Sequence, residues 1–317
     1  MSRLPASQVA TVQRAWTLCG LLWAMGWAWW WRADPVVACL GAAGPLALTG
    51  LLLACQFSLS AGVSRAHGVH VTTGWAWGAA WWREVLIAVK VFAWRQPWRW
   101  RAWPDALQPP LTPQLGMRLG DAVTPGPRGV LLVHGFMCNR GLWNGWRAEL
   151  AQGGHPVVAL NLEPFLGTID GYVPAIEHAV VALTHATGRP PLVVAHSMGG
   201  LAMRAWLRAT PGSQARVAHI VTLGTPHHGT WLARWGHATN ARQMRLNSPW
   251  LRELAANEPP DLGQLFTCWH SCADNIVFPL GTAVLPGATA RYLPHVGHVA
   301  LVDHPQVRAD TLALLAR

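Results

Sequence analysis

Short apolar runs alternate with amphipathic stretches in the last two thirds of the chain. The apolar runs are rich in Val, Leu and Ile, which is typical of buried strands. They lie at residues 129–133, 156–160, 192–195 and 218–223. Helical patterns lie between and after them, at residues 142–152, 172–186 and 201–210. Strands that alternate with helices predict an α/β domain with a mostly parallel sheet and helices on both faces.

Two long runs without a charged side chain occupy the N-terminal region, at residues 15–31 and 35–61. A membrane-spanning helix needs about 20 apolar residues. The runs therefore predict two transmembrane helices joined by a turn at residues 32–34. A cleaved signal peptide is the alternative for the first run. That run, however, ends in the bulky Trp29, Trp30 and Trp31, and a second apolar run follows at once.

Composition also favours a membrane location for part of the chain. Charged residues make up 12% of the 317 residues and apolar residues 51%, whereas soluble domains carry about 25% charged residues. The formal net charge is +10, and most of the basic excess and most of the 21 tryptophans lie before Trp103. This mixture favours a membrane surface as partner over nucleic acid, for which no motif is present.

Basic residues flank the two predicted spans unevenly. Arg3 and Arg14 precede the first span, Arg32 alone occupies the turn, and several more follow the second span, from Arg65 to Arg101. The positive-inside rule then places both termini in the cytoplasm. We therefore expect a multi-pass protein of a bacterial-type inner membrane, with its globular domain on the cytoplasmic side.

The sequence divides into three parts. They are a membrane hairpin at residues 1–62, an interfacial segment and linker at residues 63–112, and a globular domain at residues 113–317. Residues 74–103 mix Trp with Arg, and they either lie in the lipid headgroup layer or pack on the globular domain. The Pro-rich residues 104–113 are the predicted linker. Residues 225–263 interrupt the strand and helix alternation, which we interpret as a lid or an inserted helical pair.

The six cysteines do not suggest a disulfide framework, because three of them lie within the predicted spans. Cys268 and Cys272, in the motif CWHSC with His270, are compatible with part of a zinc site. A structural zinc ion needs four ligands, and no convincing fourth is present. We therefore expect neither a metal site nor a cofactor.

The stretch LVVAHSMGGLAMRAW places Ser197 between a predicted strand and a predicted helix. A nucleophile on such a sharp turn needs very small residues two positions before and after it. Ala195 and Gly199 meet this requirement. Ser197 is therefore the candidate nucleophile, and the start of the following helix directs free N–H groups toward it.

A serine nucleophile needs an imidazole base, and the base needs a carboxylate that fixes its tautomer. In an α/β sheet protein with this serine turn, the acid and then the histidine follow the serine along the chain. Asp274, in SCADNIVFP, is the candidate acid, and His298, in PHVGHVALV, is the candidate base. The rival positions are Asp261 and Asp303 for the acid, and His295 and His304 for the base.

The tetrahedral intermediate of acyl transfer carries an oxyanion that requires two main-chain donors. The N–H of Met198, directly after the nucleophile, is the first candidate. The second is the N–H of Phe136, in the turn after the strand VLLV, which His134 and Gly135 shape. A plain turn without this role is the alternative for the motif HGF.

Five motifs occur in order between about residues 129 and 302, and they are HGF, AHSMGG, LGTPHHGT, ADNIVFP and GHVALV. Together they resemble the α/β-hydrolase superfamily, and specifically its bacterial lipases and esterases. The Ala that replaces the first Gly of the serine turn is similar to that of Bacillus-type lipases. The resemblance implies the α/β-hydrolase fold and a serine hydrolase that cleaves carboxylic esters through an acyl-enzyme.

The sequence therefore predicts a membrane-anchored hydrolase of acyl or lipid esters. Two alternatives stay open. An acyltransferase would use the same residues but pass the acyl group to an acceptor other than water, and a membrane protein could use the fold for binding only. The sequence leaves the physiological substrate and the oligomeric state undetermined.

Overall fold

The fold is described from a computed structural model, which covers residues 6–69, 71–107 and 126–316. Within this part of the chain, the strands β1 to β6 are Val130–Val133, Val157–Ala159, Leu192–His196, His219–Leu223, Phe266–His270 and Thr289–Tyr292. The helices α1 to α11 are Gln8–Trp30, Pro35–Ala42, Gly44–Ala66, Gly74–Ala88, Gln96–Trp98, Asn144–Gln152, Val173–Thr187, Met198–Ala209, Thr239–Gln243, Pro249–Ala256 and Pro305–Ala313.

The six strands form one sheet in the order β2-β1-β3-β4-β5-β6. Every neighbouring pair is parallel. The central strands β1 and β3 are buried along their whole length because helices cover both faces of the sheet. Two apolar clusters result, one on each face, with Trp206 in the first and Trp143 and Trp146 in the second. The predicted architecture of a parallel sheet between helices is confirmed.

The boundaries predicted for the strands agree with the structure to within about two residues. The largest difference concerns α8, for which the apolar pattern predicts a start at residue 201 and the serine turn a start near Gly199. It begins at Met198, directly after the candidate nucleophile. The serine turn therefore has no intervening loop, and the strand passes into the helix through one residue.

The N-terminal helices form a hairpin that differs from the predicted pair of spans. α1 packs against α2, where the Trp27 indole donates to the Val37 carbonyl at 2.9 Å. The predicted second span is divided into α2 and α3, because Pro45 at the start of α3 lacks the N–H that would continue the helix. The hairpin is therefore made of three helices.

One helix within the described residues, α3, is long and apolar enough to cross a membrane, with a mean hydropathy of 1.7. Only 22% of its most apolar window is buried in the protein. α1, which carries many amphipathic Trp side chains, does not meet the same criterion of length and apolarity. Length and apolarity therefore support one candidate membrane span among the described residues, and not the predicted two.

The inner ends of the N-terminal helices pack on the globular domain. Val9 and Ala10 of α1 are buried, and so is Phe57 of α3. The Gln13 side chain donates to Gln96 at 2.8 Å and to the Met137 carbonyl at 3.1 Å. The N-terminal region is thus joined to the domain along its inner ends.

The Trp- and Arg-rich segment forms α4, a π-helical turn at Val89–Arg95, and α5. One face of it packs on the domain, where Arg95 pairs with Asp303 at 2.7 Å. The opposite face exposes Trp75, Trp82 and Trp94. The segment therefore combines the two arrangements that the sequence left open. Most of the predicted linker, at residues 108–113, lies outside the described residues.

The region between β4 and β5 contains a 3-10 turn at Trp231–Trp235 and the short helices α9 and α10. It is joined to α8 by Arg204, whose guanidinium binds both carboxylate oxygens of Glu258 at 2.7 Å and the His227 carbonyl at 2.7 Å. Arg204 is almost fully buried. The insertion is therefore helical and tied to the core of the domain.

Candidate active site

Ser197 lies on a sharp turn between β3 and α8. Its φ of +54° is rare for a residue with a side chain, and such backbone strain occurs at functional sites. Gly199 has no room for a larger residue, because a Cβ there would lie 2.5 Å from the Val133 carbonyl oxygen. The Thr225 hydroxyl donates to the Ser197 carbonyl at 2.9 Å and supports the turn.

Asp274 and His298 lie on the loops that follow β5 and β6, and both are buried. The His298 Nδ1 and the Asp274 Oδ2 are 2.9 Å apart. The other carboxylate oxygen of Asp274 accepts from the main-chain N–H groups of Ile276 and Val277 at 2.8 and 2.7 Å. The carboxylate is therefore oriented by its own loop, with one oxygen directed at the imidazole.

The charge state of His298 is set by opposing effects. Burial lowers its pKa, but the charge and hydrogen bond of Asp274, with the charge of Glu84, outweigh burial, so the pKa of His298 lies above its ordinary value. A raised pKa strengthens the imidazole as a proton acceptor. Asp274 therefore favours the protonated imidazole that a base must become.

The serine turn and the Asp274–His298 pair meet at the carboxyl edge of the sheet. The Ser197 N–H donates to the Leu223 carbonyl at 2.9 Å. A Cβ on the next residue, Gly224, would lie 2.9 Å from Asp274 Oδ2 and 3.0 Å from His298 Nδ1. The Ser197 hydroxyl itself makes no hydrogen bond with any described residue. Hydrogen bonds between a nucleophile and its base are often long before substrate binds.

The turn after β1 lies directly against Ser197. A Cβ on Gly135 would lie 2.6 Å from the Ser197 Cβ and 3.2 Å from its Oγ, so only glycine allows this approach. His134 supports the turn, because its Nε2 accepts from the Leu162 N–H at 3.0 Å and its Nδ1 then donates to the Gly135 carbonyl at 2.9 Å. Burial lowers the pKa of His134 to about 4, so this imidazole stays neutral.

The two candidate oxyanion donors lie on either side of Ser197. Met198 is the first residue of α8, where main-chain N–H groups have no partner within the helix. Phe136 follows Gly135 in the turn after β1 and is half-buried. Neither N–H donates a hydrogen bond within the described part of the chain. Both are therefore free to receive an oxyanion.

The rival residues lie elsewhere. Asp303 pairs with Arg95, and Asp261 is exposed. His295 is exposed and contacts the Thr72 hydroxyl at 3.0 Å, and His304 directly precedes α11. Among the rivals, none contacts Ser197, Asp274 or His298 in the described structure.

The two cysteines of CWHSC have different surroundings. The Cys268 sulfur lies 3.5 Å from the His227 ring, whereas the Cys272 sulfur lies 3.1 Å from the Thr72 hydroxyl. His270 contacts the Cys268 carbonyl rather than a sulfur. Among residues 6–69, 71–107 and 126–316, no three His, Cys, Asp or Glu side chains are grouped to hold a metal ion.

Sequence reasoning missed several polar residues around the Asp274–His298 pair. They are Gln56, Ser60 and Glu84 of the N-terminal helices and Asn275 of the acid loop. Asn275 accepts from the His298 N–H at 3.1 Å. Glu84 carried a signal, because it is one of two acids before Trp103 and stands alone in a Trp-rich helix. Its partners are main-chain amides, which no sequence pattern marks.

Comparison with known proteins gives two kinds of likeness. The PGAP1-like alpha/beta domain family matches residues 178–276, less than half of the chain, and no curated protein matches. The structure is similar to Aspergillus fumigatus lipase B, with a TM-score of 0.53 and 20% identity over 60% of this chain and 52% of that one. It is similar to Bacillus licheniformis lipase BlEst2 in mature form, with a TM-score of 0.52 and 18% identity over 63% and 96%.

The chain therefore spans about half the length of the Aspergillus lipase and nearly all of the Bacillus lipase. At these identities the likeness concerns the fold. The parallel sheet, the helices on both faces and the two lipase structures together define an α/β-hydrolase fold. The expected fold class is thus confirmed for the globular domain.

Proposed function

We propose that the protein is a membrane-anchored serine hydrolase that cleaves carboxylic esters of acyl or lipid substrates. The observation that carries the proposal is the hydrogen-bonded Asp274–His298 pair beside the strained Ser197 turn. A buried imidazole–carboxylate pair next to a serine is the arrangement that activates a hydroxyl. The lipase neighbours and the PGAP1-like match agree with hydrolase chemistry.

The proposed reaction begins with proton transfer from the Ser197 hydroxyl to His298 Nε2 as the oxygen attacks the ester carbonyl. The tetrahedral oxyanion accepts hydrogen bonds from the N–H groups of Phe136 and Met198. His298 then returns the proton to the departing alcohol, which leaves an acyl-enzyme. Water attacks the acyl group with His298 as base again, and the acid product and free Ser197 are released. Asp274 stabilises the imidazolium in both halves of the reaction.

The proposed membrane anchor is the outer part of the N-terminal hairpin. Its surface exposes large apolar side chains of all three helices, including Leu22, Leu40 and Leu51. Contiguous apolar surfaces of this kind mark membrane or protein contact. We place the hairpin in a bacterial-type inner membrane with the catalytic domain on the cytoplasmic side, as the basic residues indicate. Substrates dissolved in the bilayer would then be nearest to the site.

Replacement of Ser197 by Ala tests the proposal. The wild-type chain in detergent is expected to hydrolyse p-nitrophenyl butyrate and to be labelled by a fluorophosphonate, and Ser197→Ala should abolish both at an unchanged unfolding temperature. The control is Ser58→Ala, because Ser58 is exposed, whereas replacement of a buried polar residue such as Asn240 would itself disturb folding. This control should keep full activity and labelling. Full activity of Ser197→Ala would contradict the proposal, and an added alcohol acceptor would distinguish acyl transfer from hydrolysis.

A further inference from the structure

The N-terminal helices reach the two loops that carry the candidate acid and base. The Ser60 hydroxyl of α3 donates to the Asp274 carbonyl at 2.7 Å. Gln56 of α3 accepts from the Asn275 side chain at 2.8 Å, and Asn275 in turn binds the His298 N–H. These contacts join segments more than two hundred residues apart in sequence. The hairpin region is therefore part of the surroundings of the site.

Glu84 of α4 makes the closest of these contacts to the base loop. Its Oε1 accepts from the Val299 N–H at 2.7 Å, and its Oε2 accepts from the Ala300 N–H at 3.0 Å. These are the two main-chain donors directly after His298. The side chain is 1% exposed, and a Cβ on Gly297 would lie 2.4 Å from Glu84 Oε2. The carboxylate thus occupies a close-fitting site against the backbone that carries the base.

Glu84 also acts on the imidazole through its charge. The charged and titratable groups that face it are the His298 imidazole and the Asp274 carboxylate, on the two loops packed against α4. Burial raises the pKa of Glu84 to about 7, although the two N–H donors oppose this shift. A buried carboxylate is costly unless hydrogen bonds compensate it. Both compensating bonds hold the base loop.

We propose that Glu84 is a positioning residue for the His298 base. By binding the Val299 and Ala300 amides, its carboxylate holds the loop after β6 so that the imidazole faces Asp274 and Ser197. This inference rests on the proposed hydrolase function. Glu84 itself touches neither substrate nor reacting atoms; it acts through the main chain of residues 299 and 300 and, where it is ionised, through its charge on the imidazole.

The test compares the full-length wild type with Glu84→Gln in detergent, using p-nitrophenyl butyrate. Glutamine keeps one acceptor oxygen but turns an amide N–H toward a main-chain N–H, so the loop loses one of its two bonds. A displaced base loop is expected to lower kcat by about 10- to 100-fold, with KM changed by less than about twofold. Activity is expressed per serine titrated with fluorophosphonate, so that unfolded protein does not contribute.

The pH profile separates positioning from a purely structural role. The base must be neutral, so kcat/KM rises as pH increases through the pKa of His298. Where Glu84 is ionised, above its pKa of about 7, its charge favours the protonated imidazole, and the neutral Gln therefore lowers the pKa of His298. The acidic limb of the Glu84→Gln profile is therefore expected to move to lower pH. A structural role alone would leave the limb unchanged.

Two further variants and one control complete the experiment. Glu84→Asp keeps the charge on a shorter side chain and should recover part of kcat and the wild-type acidic limb. Gly297→Ala perturbs the same contact from the loop, since its methyl group would displace the carboxylate, and should also lower kcat. Glu177→Gln removes a carboxylate that pairs with Arg216 at 2.7 Å on the far helix α7, and should leave kcat and the limb unchanged.

Wild-type kcat and an unmoved acidic limb in Glu84→Gln would overturn the positioning role. A lower yield of titratable serine with normal kcat per serine would overturn it too, because Glu84 would then act only in folding. If Glu84→Gln does not fold, Gly297→Ala tests the positioning role instead, through kcat per titrated serine and the acidic limb of its pH profile. Failure of the hydrolase proposal is distinct, since the wild type itself would then neither turn over ester nor label at Ser197.

Discussion

At the scale of single residues, the candidate site depends on main-chain groups as much as on side chains. The Asp274 carboxylate is oriented by the N–H groups of residues 276 and 277, and His134 is held in one tautomer by the Leu162 N–H. The main chain thus sets the tautomer of His134 and the orientation of the Asp274 carboxylate. A substitution of such a side chain can therefore change the chemistry of the site without changing the fold. Asp274 is the clearest position at which to use this.

Asp274→Asn is expected to lower kcat for p-nitrophenyl butyrate by about 10³- to 10⁴-fold with little loss of stability. The two N–H donors to Oδ1 fix the amide oxygen of the variant, so its NH₂ group faces His298 Nδ1. The imidazole then keeps its proton on Nε2, where it is unable to accept one from Ser197. Kinetics and thermal unfolding measure the result.

The control for this prediction is Asp310→Asn, which makes the same chemical change at an exposed position on α11. It should retain wild-type kcat. If Asp274→Asn remains fully active as well, the acid has been assigned to the wrong residue.

At the scale of secondary structure, the sequence predicts an element where the residues of that segment alone determine its structure. Buried parallel strands such as β1 and β3 are continuous apolar runs, and the glycines around Ser197 mark the turn that follows β3. The apolar pattern alone places the start of α8 too late, at residue 201, because strained turns have no helix-capping signature, whereas the serine turn places it near Gly199. The break at Pro45 was missed because apolar content alone does not reveal a broken helix.

What remained beyond the sequence were contacts between distant segments. Ser60 and Gln56 lie on an apolar helix, and nothing in their neighbourhood marks Asp274 and Asn275 as partners. For the site itself, the Asp274–His298 contact agrees with the pairing expected from the strand order. Its catalytic role stays a prediction until the variants above are measured.

The insertion between β4 and β5 leads to a prediction about stability. Arg204 is 1% exposed and its only carboxylate partner among the described residues is Glu258. Glu258→Gln should lower the free energy of unfolding by about 3–5 kcal/mol, because a buried guanidinium is left without its counter-charge. Urea unfolding followed by Trp fluorescence measures the change.

Glu253→Gln is the matched control, since Glu253 is exposed and lies 3.7 Å from Arg208. Surface pairs contribute little, and we expect a change below about 0.5 kcal/mol. Equal effects of the two variants would show that the buried pair does not tie the insertion to α8.

At the scale of the whole molecule, the inner ends of the hairpin helices pack directly on the globular domain. The inner turns of α1 are buried on the domain, so the free length runs from about residue 15 to residue 30. At 1.5 Å per residue this is about 24 Å, somewhat less than the hydrocarbon core of about 30 Å. Full insertion of the hairpin would therefore bring the catalytic domain into contact with the headgroups.

Charge placed in the middle of the hairpin tests its insertion. The double variant Leu22→Arg and Leu51→Arg should move the protein from the membrane pellet to the supernatant in alkaline carbonate extraction, since an Arg at the bilayer centre costs about 3 kcal/mol. Both leucines are exposed in the structure. Activity per titrated serine on a soluble ester should be unchanged.

Leu166→Arg makes the same substitution at an exposed leucine of the globular domain, and it should leave the protein in the pellet. Retention of the double variant in the pellet would argue against insertion. In spheroplasts, protease should spare the catalytic domain if it faces the cytoplasm, and in inverted vesicles protease should cut it.

The contacts from Glu84 and Ser60 to the loops near the C-terminus span 215 and 214 residues. Synthesis proceeds from the N-terminus, so these helices leave the ribosome long before the amides and carbonyl they bind have been made. The buried carboxylate has no native partner during most of translation, and closing so long a loop is slow. On the proposed hydrolase function, ester hydrolysis should therefore emerge only after β6 and the loop that follows it have been made, and shorter chains should be inert.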